Sequence, residues 1–301
     1  MNRPLSWPGF WAACAAIVLW SAGNVIVRET PMPGLQIAFW RILLGAVVYW
    51  VALPLRGQRL TGRQLLLSAP AALAISFEIA IFFVALKATT VANATIVAAL
   101  APVVLLVVAS RRFDERVTAP LMVAVTVAIG GVVMVMIGSA EEATWSLRGD
   151  VLALIAMFLF AAYFSFAKAA RAVVPAHQFQ ASVWIVGAVA LFPVAVADAG
   201  GLEVPGPGDW VWLVALLIVP GTGHLLMNWA HAKIRLSVSG VLTLGIPVFS
   251  TLGAVLILDE GLVTIQVLGM VVVIAALVFI VLREAEIQRQ AAKAVPVAMP
   301  D

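Results

Sequence analysis

The sequence predicts an all-α integral membrane protein of ten transmembrane helices, arranged as two inverted five-helix repeats. Three observations carry that expectation: the composition, ten runs of apolar residues long enough to cross a bilayer, and a match of the chain to itself. Of 301 residues, 63% are hydrophobic and 11% charged, against ~45–50% and ~25% in soluble domains. So little charge leaves no coat that water would tolerate. An ordinary cytosolic enzyme, a disordered chain and a nucleic-acid-binding domain are excluded on that ground. The net charge of +3 does not revive the last of these, because the basic residues are scattered among short loops. A single cysteine, Cys14, excludes an intrachain disulfide framework and a multi-cysteine metal site.

A spanning helix needs ~20 mostly apolar residues and satisfies its own backbone hydrogen bonds. Such runs lie at roughly 10–27, 34–53, 65–85, 90–109 and 118–137, then at 149–167, 180–198, 210–230, 237–258 and 263–282. Uniformly apolar segments with short loops also argue against an outer-membrane barrel, whose strands alternate. Arg3 ahead of the first run could introduce a signal peptide, but the run lacks a small-residue cleavage site and nine more spans follow. The first run is therefore expected to stay as a span. Residues 284–301 are polar and contain proline, and read as a frayed helix end running into a disordered cytoplasmic tail. With the amino terminus inside, fourteen of the eighteen Lys and Arg fall in cytoplasmic segments. Only Arg28, Lys87 and Arg148 fall outside, and Arg41 lies within the second span. That bias predicts both termini in the cytoplasm and an even number of spans.

Sliding the chain by 145 residues places Pro102 on Pro247, Val103 on Val248, Ala109 on Ala254 and Asp114–Glu115 on Asp259–Glu260. Each copy reads as a helix with a mid-span proline, an Asp-Glu pair and another apolar span. LLGAV (43–47) over IVGAV (185–189) adds an earlier match at a slightly different offset. The predicted units are 1–138 and 148–283, followed by the tail. Five spans per unit is odd, so the second copy crosses the membrane in the opposite sense. Inverted repeats suit secondary transporters, in which two similar halves trade openness between the two faces.

These residues resemble the drug/metabolite transporter superfamily, in particular its ten-helix branch built from two EamA repeats. The resemblance rests on WSAGN (20–24) with Arg28, on AFWR (38–41), and on ALKATTVANATIVAALAPVVLLVVASRRFDERVT (85–118) with a second copy ending ILDEGLVTIQVLGM (257–270). In that second copy the family's usual Glu is preceded by Asp and followed by Gly261. The resemblance implies export of small metabolites, and within the family the chain is most similar to bacterial aromatic-amino-acid exporters. It thereby implies a multi-pass protein of the bacterial inner membrane.

Polar residues inside spans are candidate functional groups, because each costs ~2.5–3.5 kcal/mol to insert. The clear cases are Arg41, Glu78, His224 and Asn228; Asn24, Asn93, Ser165, Ser239 and Thr243 are weaker ones. At 1.5 Å per residue Glu78 lies ~10 Å inside the outer face and His224 ~9 Å inside the cytoplasmic face. They are near-equivalent in the two repeats and ~10 Å apart along the membrane normal, which fits two ends of a solute path. Glu78 could bind substrate or a proton, or pair with Arg41. His224 could serve transport or be a satisfied neutral imidazole. Arg41, ~10 Å below the outer face, reads as a snorkelling topology anchor rather than a ligand.

Pro220-Gly221-Thr222-Gly223 before His224 predicts local unwinding or a kink. Pro102 and Pro247 free the carbonyls of Ala98 and Thr243 on equivalent helices, and paired breaks of that kind point to a central site; mere bending for packing is the alternative. Trp7, Trp11, Trp50, Trp145, Trp210 and Trp212 lie near span ends and suit interfacial belts. Trp20, Phe77, Tyr163 and Trp229 are the aromatic candidates for a cavity wall, which would favour an aromatic or aliphatic solute. Ala124/Ala128 and Gly130–Gly131 suit close helix packing.

The combined expectation is a secondary transporter exporting small metabolites by alternating access, with a small-molecule substrate, the bilayer as surroundings and no nucleic-acid partner. Proton coupling would run through Glu78 or His224, and a monomer would suffice. No phosphate-binding G-x-x-x-x-G-K-[ST] is present, and the sequence calls for no cofactor or metal. The rival class, a membrane enzyme acting on a lipid-linked substrate, would need convergent acids or a nucleophile–base pair. No HExxH, DxxD or G-x-S-x-G appears.

Overall fold

A computed structural model of the chain describes residues 6–88, 97–138, 146–198, 200–258 and 261–293. Asn93, Trp145 and the second Asp-Glu pair lie outside the described residues. The first repeat contributes α1 (Trp7–Glu29), α2 (Gly34–Leu55), α3 (Gly62–Ala88), α4 (Ala101–Phe113) and α5 (Ala119–Gly138). The second contributes α6 (Leu147–Arg171), α7 (Ala176–Val196), α8 (Asp209–His231), α9 (Leu236–Leu242), α10 (Gly245–Leu258) and α11 (Thr264–Lys293). Among the described residues there is no strand, and nine segments are long and apolar enough to cross a membrane. The expected span at 90–109 is described only from residue 97 onward. Trp11 and Trp50 are 62% and 69% exposed, as belt residues at span ends should be.

The helices pair according to a simple rule. The first helix of each repeat packs on the third of the other, α1 on α8 and α6 on α3. The second, fourth and fifth pack on their own counterparts: α2 on α7, α4 on α9, α5 on α11. Exchanging the halves leaves this map unchanged, so the repeats are related by a pseudo-two-fold axis. One apolar core joins α1–α3 to α6–α8, and a second lies between α5 and α11 and reaches α4, α9 and α10.

Glycines bring the halves together. A Cβ on Gly131 would sit 2.8 Å from the Gly269 carbonyl oxygen, and one on Gly269 would sit 2.6 Å from that of Gly131. At the α2–α7 crossing, Gly45 faces the Trp184 ring and Gly187 faces Ile42. Those four residues are two equivalent contacts, since Ile42 and Gly45 match Trp184 and Gly187 at one offset. They include the glycines of LLGAV and IVGAV. Without Cβ atoms the helix axes approach closely and gain packing where lipid supplies no hydrophobic drive.

The Asp-Glu pair of the first repeat has a division of labour. Asp114 ends α4 in the left-handed conformation (φ 51°), which Asp tolerates better than most residues. The Glu115 amide then donates back to Ala109 O at 3.1 Å, completing a helix stop of the Schellman kind. The Glu115 carboxylate crosses to the other repeat and accepts from Leu236 N (2.7 Å), Ser237 N (2.9 Å) and Ser237 Oγ (2.7 Å), capping α9. Arg235 Nε lies 3.7 Å from it. Lysines do the converse at helix C-termini: Lys87 Nζ donates to Thr30 O at 2.9 Å beyond α1, and Lys168 Nζ to Ile234 O at 2.6 Å beyond α8.

The ninth predicted span lies at its expected place, Leu236–Ile257, and its helix is interrupted at Thr243–Leu244 into α9 and α10. One expectation needs correction. The stretch around Pro220 stays helical within α8: Pro220 packs where a Cβ on Gly23 would be, and Gly223 makes room for Trp20, so the sequence serves close α1–α8 packing. α11 continues through the first part of the predicted tail, to Lys293, and the disordered part expected after it lies outside the described residues.

Gly131→Val should destabilise the protein by about 1–3 kcal/mol through overpacking. Gly130→Val, where an added Cβ meets nothing within 4 Å, should cost less. Thermal midpoints of the two purified variants in one detergent compare them, and equal losses would show that the α5–α11 crossing tolerates bulk. Glu115→Ala should cost about 1–2 kcal/mol by the same measurement, the amount typical of a lost N-cap.

Candidate functional site

Both repeats break a helix at the same place. Before α4 the chain turns at Ala99–Leu100, and before α10 at Thr243–Leu244. Each helix restarts just ahead of its proline, with Pro102 in the first turn of α4 and Pro247 in the first turn of α10. Proline suits that position because its missing N–H would find no partner there anyway. Tight i to i+3 bonds span the turns: Leu100 N to Val97 O at 3.1 Å, Leu244 N to Val241 O at 3.0 Å, and Ile246 N to Thr243 O at 3.0 Å. The Thr243 carbonyl is therefore satisfied, contrary to the expectation that Pro247 leaves it free. Ser21 Oγ, on α1, lies 3.2 Å from Ile246 O and ties that helix to the second break.

The two breaks face one central cavity of about 110 Å³. Ala98 and Ala99 line it from one side, and Thr243, Ile246 and Pro247 from the other. At ~10–15 Å³ for one water, this is room for several waters or a small solute. α1 contributes Trp20, Gly23 and Asn24; α2 contributes Arg41; α3 contributes Glu78, Phe82 and Phe83. From the second repeat come Met157 and Phe160 on α6, and Leu216, Pro220 and His224 on α8. Most of the wall is apolar, with a few polar groups projecting into it, the usual character of a small-molecule site.

Of the sequence candidates, Trp20, Asn24, Glu78, His224, Thr243, Pro220 and Pro247 meet at this cavity. The Trp20 and His224 rings meet at 4.9 Å between centroids, tilted by 51°, and Trp184 approaches His224 edge-on at 5.5 Å. His224 Nδ1 and Trp20 Nε1 are buried without a hydrogen-bond partner. Glu78 and His224 share one chamber, where the depth estimate placed them at two ends of a path. Asn24 Nδ2 donates to Ser250 Oγ at 3.4 Å, across to α10.

Seven candidates lie off the cavity wall. Tyr163 and Asn228 are fully buried in a network of their own: Tyr163 Oη donates to Asn228 Oδ1 (2.7 Å), and Asn228 Nδ2 to Gln180 Oε1 (2.7 Å). Arg171 Nε donates to Asn228 O at 2.7 Å. This network holds α6, α7 and α8 together. Trp229 packs under the Lys233 ammonium, 4.2 Å from its ring centroid, and Phe77 packs at the edge of the main core. Pro102 is buried in α4 but does not line the cavity. Ser165 accepts from Arg112 Nη1 at 3.0 Å, and Ser239 donates to Leu236 O at 3.1 Å.

Arg41 is the largest departure from the sequence reading. It is 4% exposed and lines the cavity rather than snorkelling to a face. Phe82, Met157, Phe160 and Leu216 are wall residues that the sequence reading does not single out, although the sequence holds signals for two of them. Phe82 is one helical turn from Glu78, and Leu216 sits four residues before Pro220, where the ring opens the ladder.

This is a multi-pass membrane protein in which helix breaks from two related halves border one chamber. It belongs to the EamA-like transporter family, whose description matches residues 7–137 and again residues 147–282. A solved crystal structure is similar in fold, with a TM-score of 0.77 over 93% of this chain and 98% of the other, at 19% identity. No curated protein matches the sequence.

Tyr163→Phe removes one hydroxyl and leaves Asn228 Oδ1 short of a donor, so stability should fall by about 1–2 kcal/mol. Because the ring stays in place and lies off the cavity, solute affinity of the folded fraction should stay within about twofold of the parent. A larger loss of affinity at unchanged thermal midpoint would make Tyr163 a ligand-binding residue instead.

Proposed function

We propose that the protein is a secondary transporter that exports small metabolites across the bacterial inner membrane by alternating access, with both termini in the cytoplasm. Amino acids with aromatic or other hydrophobic side chains are the favoured substrates. The observation that carries this reading is the pair of helix breaks, one from each repeat, lining the same cavity. Broken backbone at membrane depth is tolerated where it borders a wet cavity, and in inverted-repeat carriers such a cavity is where solute and coupling ion bind. Rocking one half against the other would expose the chamber first to one face and then to the other. The aromatic wall of Trp20, Phe82 and Phe160 supports an apolar solute body. One chain carries both halves, so a monomer is a complete carrier.

Purified protein in liposomes should take up one or more radiolabelled amino acids with saturation and with competition between substrates. No flux of amino acids, nucleosides or cationic drugs would sink the reading. Protons are the proposed coupling ion, carried by Glu78. Glu78→Gln should abolish uptake driven by a pH gradient while leaving solute exchange at equal pH intact. A gradient dependence unchanged from the parent would remove Glu78 from that role.

A further inference from the structure

Arg41 is a cation in a largely apolar chamber with no hydrogen bond on its Nε–Nη2 edge. It comes from α2, is 4% exposed and lines the cavity. Its Nε and Nη2 are buried and have no hydrogen-bond partner. Among the described residues no ion pair of 4.0 Å or less joins Arg41 to Glu78, although both line the same cavity. The guanidinium lies against two rings, with Cζ 5.8 Å from the centroid of Phe83 and 5.8 Å from that of Trp184. Aromatic faces stabilise the cation but accept no strong hydrogen bond. A buried charge in this condition is costly unless something completes it.

The unpartnered atoms identify what is missing. Nε–H and Nη2–H form the side edge of a guanidinium, the edge that receives the two oxygens of a carboxylate in parallel. We propose that Arg41 is the carboxylate-binding residue of the cavity and that the transported solute is a monocarboxylate with an apolar body, the body lying against Trp20, Phe82 and Phe160. One negative charge is favoured over two: Arg41 is the only Lys or Arg among the described residues lining the cavity, so a phosphate dianion would bring a second buried charge with no cation to match it. This inference rests on the carrier reading and names the chemistry of its solute.

The test is equilibrium binding to the purified full chain in detergent, so that it does not depend on flux. Phenylalanine and 3-phenylpropionate keep the carboxylate; phenethylamine and phenylalanine methyl ester lack it; inorganic phosphate is the oxyanion control. The parent should bind the two carboxylates at least about tenfold more tightly than the amine and the ester, the difference expected for a charge-assisted pair. Arg41→Gln should erase that preference, and Arg41→Lys should restore part of it. Equal binding of phenethylamine and phenylalanine by the parent overturns the proposal, whatever the variants do. So does an Arg41→Gln protein that keeps the parent's preference, or phosphate that displaces phenylalanine at equal concentration. If no carboxylate binds while other solutes cross liposomes, the proposal fails and the carrier reading stands. Carboxylate binding without flux of any solute would leave the binding assignment standing and overturn the carrier reading.

Discussion

Everything at the centre of this protein depends on one constraint: in a bilayer, a backbone amide or carbonyl that leaves its helix must find another partner. Elsewhere in the described residues the chain meets that demand with long unbroken helices. At Ala99–Leu100 and Thr243–Leu244 it does not, and short-range bonds and the Ser21 hydroxyl take up the slack. Both interruptions open on the same space. The cavity and the breaks are therefore one feature. A continuous helix in either place would fill part of the chamber, and a break without the chamber would strand polar backbone among hydrocarbon.

The scaffold obeys the pseudo-two-fold axis and the chemistry does not. Gly131 meets Gly269, Gly45 receives Trp184 and Gly187 receives Ile42, so the halves touch through matched contacts. The ionisable residues of the wall are distributed differently. Arg41 and Glu78 come from the first repeat and His224 from the second, and the Tyr163–Asn228–Gln180 network lies wholly within the second. The packing between the halves is matched, and the lining of the cavity is not.

The architecture was legible because it is written in long-range statistics. Apolar runs of about 20 residues and a repeat at fixed offset each average over many positions. Of the aligned prolines, Pro247 lines the cavity and Pro102 lies off it, although proline has few tolerable places inside a span. What failed was local. Pro220 and its two glycines carry the composition of an unwound segment, yet the same residues suit a close α1–α8 contact, and only the neighbour decides between them. Depth counted along a helix placed Arg41 within reach of the surface. Depth alone does not say whether a side chain points along the membrane normal or into the bundle, and Phe83 and Trp184 hold this one inward. Tyr163 reads as an aromatic wall residue and Asn228 as a polar one, but the two hydrogen-bond to one another.

The glycine contacts have a consequence for descent. A residue lying on a two-fold axis meets its own image. In an ancestor made of two identical, oppositely oriented half-length chains, every substitution at these crossings would have arrived twice, and both copies would have had to tolerate it. On a single chain that condition does not hold. Ile42 and Trp184 occupy equivalent seats and differ in volume by most of an indole, each facing a glycine on the other side. Each position of one chain can differ from its counterpart, and the arginine and glutamate of the cavity wall come from one half only.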